Sequence, residues 1–241
     1  MILELDIGNT RTKWRVVTSE SCEMWLSGDF NTADIQTGLS QIPFSDIQRV
    51  RAVSVVRSAS NYLKERVDTE CGLVVEFADV QQYSGGLECG YKEPERLGVD
   101  RWMALVAANL LRDKNENFAV VDAGSALTVD LCDADGRHHG GYIAPGFNMM
   151  KTALGVKTSS VGMHELGKVS LQPGSTTNEA VNNACLTAML GVINNAVEIS
   201  STKHLFLTGG DRELLKPYIG SNIQVSVVPD LVLDGLNVVL P

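Results

Sequence analysis

Ile2-Leu3-Glu4-Leu5-Asp6-Ile7-Gly8-Asn9-Thr10-Arg11-Thr12-Lys13 and Phe118-Ala119-Val120-Val121-Asp122-Ala123-Gly124-Ser125-Ala126-Leu127-Thr128-Val129 are two copies of one pattern. Aligned, Asp6 falls on Asp122, Gly8 on Gly124, Asn9 on Ser125 and Thr12 on Thr128. Each copy reads as an apolar strand, an Asp, a tight Gly turn with a small polar residue, and a second strand. A single D-x-G is most often an ordinary turn, because Asp and Gly suit turn positions. Two in register, each after an apolar run, point to a duplicated architecture with a shared purpose.

Working outward, each copy is followed by the same elements. In the first half, residues 2–7 and 12–18 pair around Gly8, residues 50–56 form a buried strand, and Ser60 to Cys71 a helix ended by Gly72. Leu73 to Phe77 is a strand, residues 80–98 are irregular, and a helix runs from Val99 to about Arg112. In the second half, strands are expected at 118–122, 127–132 and 139–144, with His138 and His139 in a solvated turn rather than a metal site. Pro145-Gly146 opens a helix, 155–173 is a polar connector, and a long helix spans Asn178 to Ser200. Strands at 205–208 and 225–228 and a helix at 230–238 complete the chain. The layout predicts an α/β fold of two similar halves with mixed sheets, 1–115 and 116–241, and a cleft between them.

The chain has 241 residues, 44% hydrophobic and 20% charged, as in ordinary soluble domains. Its formal net charge of −9, with Lys and Arg scattered, gives no electrostatic support for a nucleic-acid partner. Acidic Glu4 and Asp6 interrupt the apolar start, which makes a poor signal peptide, and no apolar run is long enough to span a bilayer. A cytoplasmic protein with no membrane partner is expected. The five cysteines, Cys22, Cys71, Cys89, Cys132 and Cys185, form no C-x-x-C and read as reduced thiols. The histidines, including His164 and His204, lack zinc spacing.

The Gly turns suit phosphate. Backbone N–H groups at Gly8 and Gly124, with the hydroxyls of Thr10, Thr12 and Ser125, can cradle phosphate oxygens. A carboxylate before the turn can hold a charge-neutralising cation, and Lys13 adds a positive point charge. Thr208-Gly209-Gly210-Asp211 lets a flat group such as a nucleoside lie against backbone; a plain strand-to-helix turn explains it equally well. Glu95-Arg96-Leu97-Gly98-Val99-Asp100-Arg101-Trp102 puts Asp100 and Arg101 in the first turn of a helix. The helix dipole alone favours an Asp there. The same pair suits a phosphoryl-acceptor site, with Asp100 taking a hydroxyl proton and Arg101 holding an acidic substrate. No P-loop and none of the protein-kinase signatures occur.

Together these elements resemble the type III pantothenate kinases, of the actin/sugar-kinase/Hsp70 superfamily. The resemblance rests on Asp6 to Thr10, Arg96 to Trp102, Asp122 to Thr128, Gly140-Gly141-Tyr142-Ile143-Ala144-Pro145-Gly146, Thr208 to Asp211, and Pro229 to Leu236. It implies a duplicated ribonuclease H-like (actin-like ATPase) fold, ATP-dependent phosphorylation of pantothenate to 4′-phosphopantothenate in coenzyme A biosynthesis, and a homodimer. It also implies Mg²⁺ and a monovalent cation, K⁺ or NH₄⁺. Carried over by motif, Asp6, Ile7, Gly8, Asn9, Thr10, Arg11, Thr12 and Lys13 hold the ATP phosphates, with Asp6 on Mg²⁺. Asp122 holds the monovalent cation and Ser125 contacts ATP. Asp100 is the proton acceptor, and Tyr91, Gly98, Val99, Asp100, Arg101 and Thr177 form the pantothenate site. Thr176-x-x-Glu179 also reads as a helix capping box, which makes Thr177 simply its neighbour. Ser125 stands where the family commonly has Thr. The rivals are another small-molecule kinase of the superfamily and a non-catalytic regulatory relative; retention of Asp6, Asp100 and Asp122 counts against the latter.

Overall fold

A computed structural model describes residues 1–19, 23–157, 167 and 169–241. Cys22, His164 and much of the connector expected at 155–173 lie outside the described residues. The first stretch runs Ile2–Ile7 (β1), Arg11–Val17 (β2), Met24–Asn31 (β3), a 3-10 turn at Thr32–Asp34, Ile35–Leu39 (α1), Arg49–Ser54 (β4) and Arg57–Cys71 (α2). Val75–Phe77 (β5), Tyr83–Ser84 (β6), Leu87–Glu88 (β7), a 3-10 turn at Pro94–Arg96 and Val99–Leu111 (α3) follow. Then come Phe118–Ala123 (β8), Ala126–Cys132 (β9), His138–Pro145 (β10), Phe147–Lys157 (α4) and Thr177–Ser200 (α5). His204–Thr208 (β11), Arg212–Leu215 (α6), Gln224–Val227 (β12) and Leu231–Val239 (α7) end the chain.

Two five-stranded sheets have the same order, β3-β2-β1-β4-β5 and β10-β9-β8-β11-β12. In each, the hairpin is antiparallel and the next two strands run parallel to its first member. The two Gly turns therefore lie at the carboxyl ends of β1 and β8, where open α/β sheets place ligands. Two compact units emerge: Met1–Leu110 with Asp230–Pro241, and Leu111–Pro229.

One face of each sheet is an apolar core. Leu3, Leu5 and Ile7 of β1 share a buried cluster with Ala59, Leu63 and Val67, the i, i+4, i+8 stripe of α2. Gly72 ends α2 in a left-handed conformation at φ +64°, its N–H on Asp68 O at 2.9 Å. In the second unit Ala119, Val121 and Ala123 pack with Cys185, Leu186, Met189, Leu190, Ile193 and Ala196 of α5. Burying each large side chain fully is worth about 1.5–3 kcal/mol.

The last helix belongs to the first unit. Arg15 Nε donates to Glu4 Oε2 at 2.5 Å and its Nη1 to Asp234 Oδ1 at 2.7 Å. Arg51 Nη2 donates to Glu4 Oε1 and to Asn237 Oδ1, and its Nη1 to the Leu240 carbonyl. Glu4 is fully buried, so these guanidinium groups replace the water it has lost. Gly235 lies so close to α3 that a Cβ there would sit 2.2 Å from Met103 O.

Four features depart from the sequence expectation. β3 and α1 were not anticipated: β3 is an edge strand exposed over most of its length, so it carries no apolar alternation. The stretch 80–98 contains the small β6–β7 hairpin. His138 is not a solvated turn residue. It begins β10, is buried, and its Nε2 lies 3.0 Å from Asp130 Oδ1; the turn itself is taken by Gly136 at φ +86°. Leu110 and Leu111, which count among the apolar residues of the helix expected from Val99 to about Arg112, are exposed at the end of α3.

Candidate active site

The first Gly turn is a tight hairpin. Gly8 N–H donates to Arg11 O at 3.1 Å, and Asp6 stands opposite Lys13 across the β1–β2 register. Asn9, Thr10 and Arg11 are exposed, Asp6 and Lys13 partly buried, and Ile7 fully buried. Arg11 pairs with Asp29, and Lys13 Nζ lies 3.8 Å from Asp230 Oδ1, a surface-type pair worth under about 1 kcal/mol. Thr12 is different from its neighbours: it is buried, and its hydroxyl is 3.0 Å from that of Thr32. Asn9 and Thr32 also line a pocket of about 380 Å³ with Gln36, Ser58 and Tyr62.

The second Gly turn, in the other unit, is closed by backbone. Gly124 N–H donates to Ala126 O at 3.0 Å, Gly146 N–H to Ser125 O at 3.0 Å, and Asp211 N–H to Ala123 O at 2.8 Å. A Cβ on Gly146 would lie 2.3 Å from Gly124 O. Gly209, at φ +89°, is packed so tightly that its Cβ would lie 2.4 Å from both Ala123 O and Asp122 Oδ1. Thr208 is register-paired with Asp122 across β11 and β8. Three glycine turns from separate stretches of sequence thus meet around a partly buried Asp122 and an exposed Ser125. Burial pushes the Asp211 carboxyl up from its ordinary range.

Asp100 and Arg101 open α3. Asp100 Oδ1 accepts the Arg101 N–H at 2.8 Å and lies where a Cβ on Gly98 would be 2.6 Å away. A Cβ at position 98 would displace that carboxylate from its place. The Arg101 side chain is buried, and its Nη1 donates to the Tyr91 hydroxyl at 3.1 Å. Tyr91, Gly98, Val99, Asp100 and Arg101 therefore lie together in the first unit. Thr177 is in the second, exposed at the start of α5. Its neighbour Thr176 is the cap, accepting the Glu179 N–H at 3.2 Å, while Glu179 Oε2 accepts from Ser175 N and Oγ at 2.8 Å each. Those bonds from Ser175 hold the Glu179 carboxyl below its ordinary range.

Sequence reasoning passed over Thr32, which lies in a stretch with no periodic signal. It found the glycines at 146 and 209 as pattern members without their contacts. Among the described residues no group of three His, Cys, Asp or Glu side chains is arranged to hold a metal, and no helix is long and apolar enough to cross a membrane.

Two sheets of identical order, each carrying an Asp-x-Gly turn at its carboxyl edge, define an actin-like fold of the kind sugar kinases use. A protein described as a 2-dehydro-3-deoxygalactonokinase from Sinorhizobium meliloti shares it, with TM-score 0.63, 12% identity, and 98% of this chain and 97% of that one covered. A protein described as a Baf family transcriptional activator from Campylobacter jejuni does too, with TM-score 0.64, 23% identity, and 98% and 95% covered. The chain belongs to the type III pantothenate kinase family, whose model matches residues 2–199. It is 38% identical to the type III pantothenate kinase of Marinobacter nauticus, over 98% of this chain and 96% of that protein. To that of Cellvibrio japonicus it is 35% identical, over 99% and 96%.

Proposed function

We propose that this chain transfers the γ-phosphoryl group of ATP to the primary hydroxyl of pantothenate, giving 4′-phosphopantothenate and ADP. The observation that carries the reading is the cluster at the start of α3 in a member of this family. There, a carboxylate lying close against Gly98 stands beside a buried guanidinium held by Tyr91. Asp100 accepts the proton as the hydroxyl oxygen attacks phosphorus and ADP departs. Arg101 faces the substrate carboxylate; Tyr91, Gly98 and Val99 complete its pocket, with Thr177 as a further contact.

Asp6 through Lys13 and Ser125 hold the nucleotide, the turn N–H groups and the Thr10 and Ser125 hydroxyls meeting phosphate oxygens. A divalent ion, Mg²⁺, fits this donor set: the residues offer single carboxylates rather than a cage, as suits an ion held largely by phosphates and water. Asp6 would hold it, and when bound it neutralises developing phosphate charge. Asp122, packed against Gly124 and Gly209 with main-chain oxygens of Ala123 and Ala126 close to the same glycines, would hold K⁺ or NH₄⁺. The active species is taken to be a cytoplasmic homodimer with no nucleic-acid partner.

The test is ADP release with ATP, Mg²⁺ and pantothenate, with K⁺, NH₄⁺ or Na⁺ as the sole monovalent cation. Pantothenate-dependent turnover requiring K⁺ or NH₄⁺ is expected. Asp100→Asn should lower it by about 10²–10⁴-fold with ATP affinity retained. Turnover of Asp100→Asn at the wild-type rate would remove Asp100 from the proton-accepting role.

A further inference from the structure

The geometry points to Thr32 as a positioning residue for the first phosphate turn, acting through the Gly8 carbonyl; the inference rests on the nucleotide role proposed above. Thr32 is 6% exposed, immediately after edge strand β3. Its hydroxyl donates to Gly8 O at 2.7 Å, and its N–H donates to Thr10 O at 2.9 Å. The Thr12 hydroxyl lies 3.0 Å from the Thr32 hydroxyl. Thr32 has only one hydroxyl proton, and Gly8 O takes it, so Thr12 is the donor to Thr32. The relay runs Thr12 to Thr32 to Gly8, and it grips the turn at both shoulders.

The consequence follows from peptide geometry. In a planar trans peptide the C=O and N–H point in opposite directions. Holding the Gly8 carbonyl toward Thr32 turns the Asn9 N–H away from Thr32, and Asn9 is exposed. An N–H fixed in place before an anion arrives has no ordering cost left to meet when the phosphate binds. Thr12, singled out in the sequence as a direct phosphate ligand, instead lends its hydroxyl to this relay from a buried position. Its contribution to nucleotide binding passes through Thr32.

Thr32→Val keeps the shape and removes the hydroxyl; Thr32→Ser keeps the hydroxyl. For Thr32→Val the KM for ATP should rise about 3- to 10-fold, the scale of one lost hydrogen bond, with the KM for pantothenate unchanged. Thr32→Ser should restore the ATP value. Calorimetric titration of each variant with ATP gives the same comparison without turnover, and thermal unfolding confirms that both are folded. A wild-type protein that binds ATP but ignores pantothenate would refute the proposed reaction and leave the clamp testable by titration. Equal ATP affinity in Thr32→Val and wild type, or equal losses in the Val and Ser variants, would overturn the inference.

Discussion

The two sheets share strand order and turn pattern, yet their second faces differ: a buried charged triad fills the first, and aromatic packing beside one buried Asp–His pair fills the second. In the first, Glu4 on β1 meets Arg15 on β2 and Arg51 on β4, all buried. Aligning Asp6 with Asp122 puts Val120 where Glu4 stands, and the strand register puts Asp130 and Phe206 where Arg15 and Arg51 stand, with Asp130 Oδ1 3.0 Å from His138 Nε2. There Phe206 meets Phe118 edge-on with ring centroids 6.1 Å apart and stacks on His204 at 4.1 Å. The turns differ in the same spirit: side-chain hydroxyls brace the first, whereas glycine backbone packing braces the second. One architecture can thus be stabilised by a three-residue charge network in one copy and largely by aromatic packing in the other.

The largest expected effect tests the charged face. Glu4→Gln leaves two buried guanidinium groups short of charge and should cost about 3–5 kcal/mol, read from chemical denaturation. Replacing the triad with apolar residues, Glu4→Val with Arg15→Leu and Arg51→Phe, should cost less than Glu4→Gln alone, because no buried charge is left uncompensated. A triple variant less stable than Glu4→Gln would show that apolar packing cannot replace the charged face.

The turns come next. Gly209→Ala combines a positive φ with a Cβ 2.4 Å from Ala123 O, and backbone strain alone predicts about 1–3 kcal/mol. Gly8 has a single neighbour at 3.0 Å and no positive φ, so Gly8→Ala should cost about 1 kcal/mol or less. Equal losses in the two would erase the contrast between the turns.

The smallest effect concerns Asp211 beside the second turn. Its folded pKa is raised by burial, so its charged form costs stability above that pKa. The cost vanishes as pH falls below the ordinary carboxylate range, where folded and unfolded forms are both protonated. Asp211→Asn should therefore raise the melting temperature modestly at neutral pH and leave it unchanged in acid. A rise of the same size at both pH values would assign the gain to packing rather than charge.

Periodicity and punctuation carried much of this fold. The apolar strands before Asp6 and Asp122, the stripe of α2 with Gly72 behind it, and the Thr176-x-x-Glu179 cap on α5 are local patterns with local causes. β3 was invisible because an exposed edge strand has no buried face to impose alternation. His138 was misread because its turn sequence is polar, while its burial comes from pairing with Asp130 across β9 and β10. At the site, Asp100 and Arg101 were legible as a helix start. Glycines 146 and 209 were legible as pattern members, but their closeness to residues 123 and 124 was not.

The sequence by itself determined the duplication, the two Asp-x-Gly turns, the Asp100-Arg101 pair at the head of α3 and the family, because each is written in contiguous residues. Only the tertiary structure decided that α7 is tied to the first sheet through Glu4, Arg15 and Arg51, and that Thr32 grips the first turn while Gly146 and Gly209 wall the second. Those contacts join residues far apart in the chain. A buried charge or a bare carbonyl must find a partner wherever folding brings one, and no local pattern names that partner in advance.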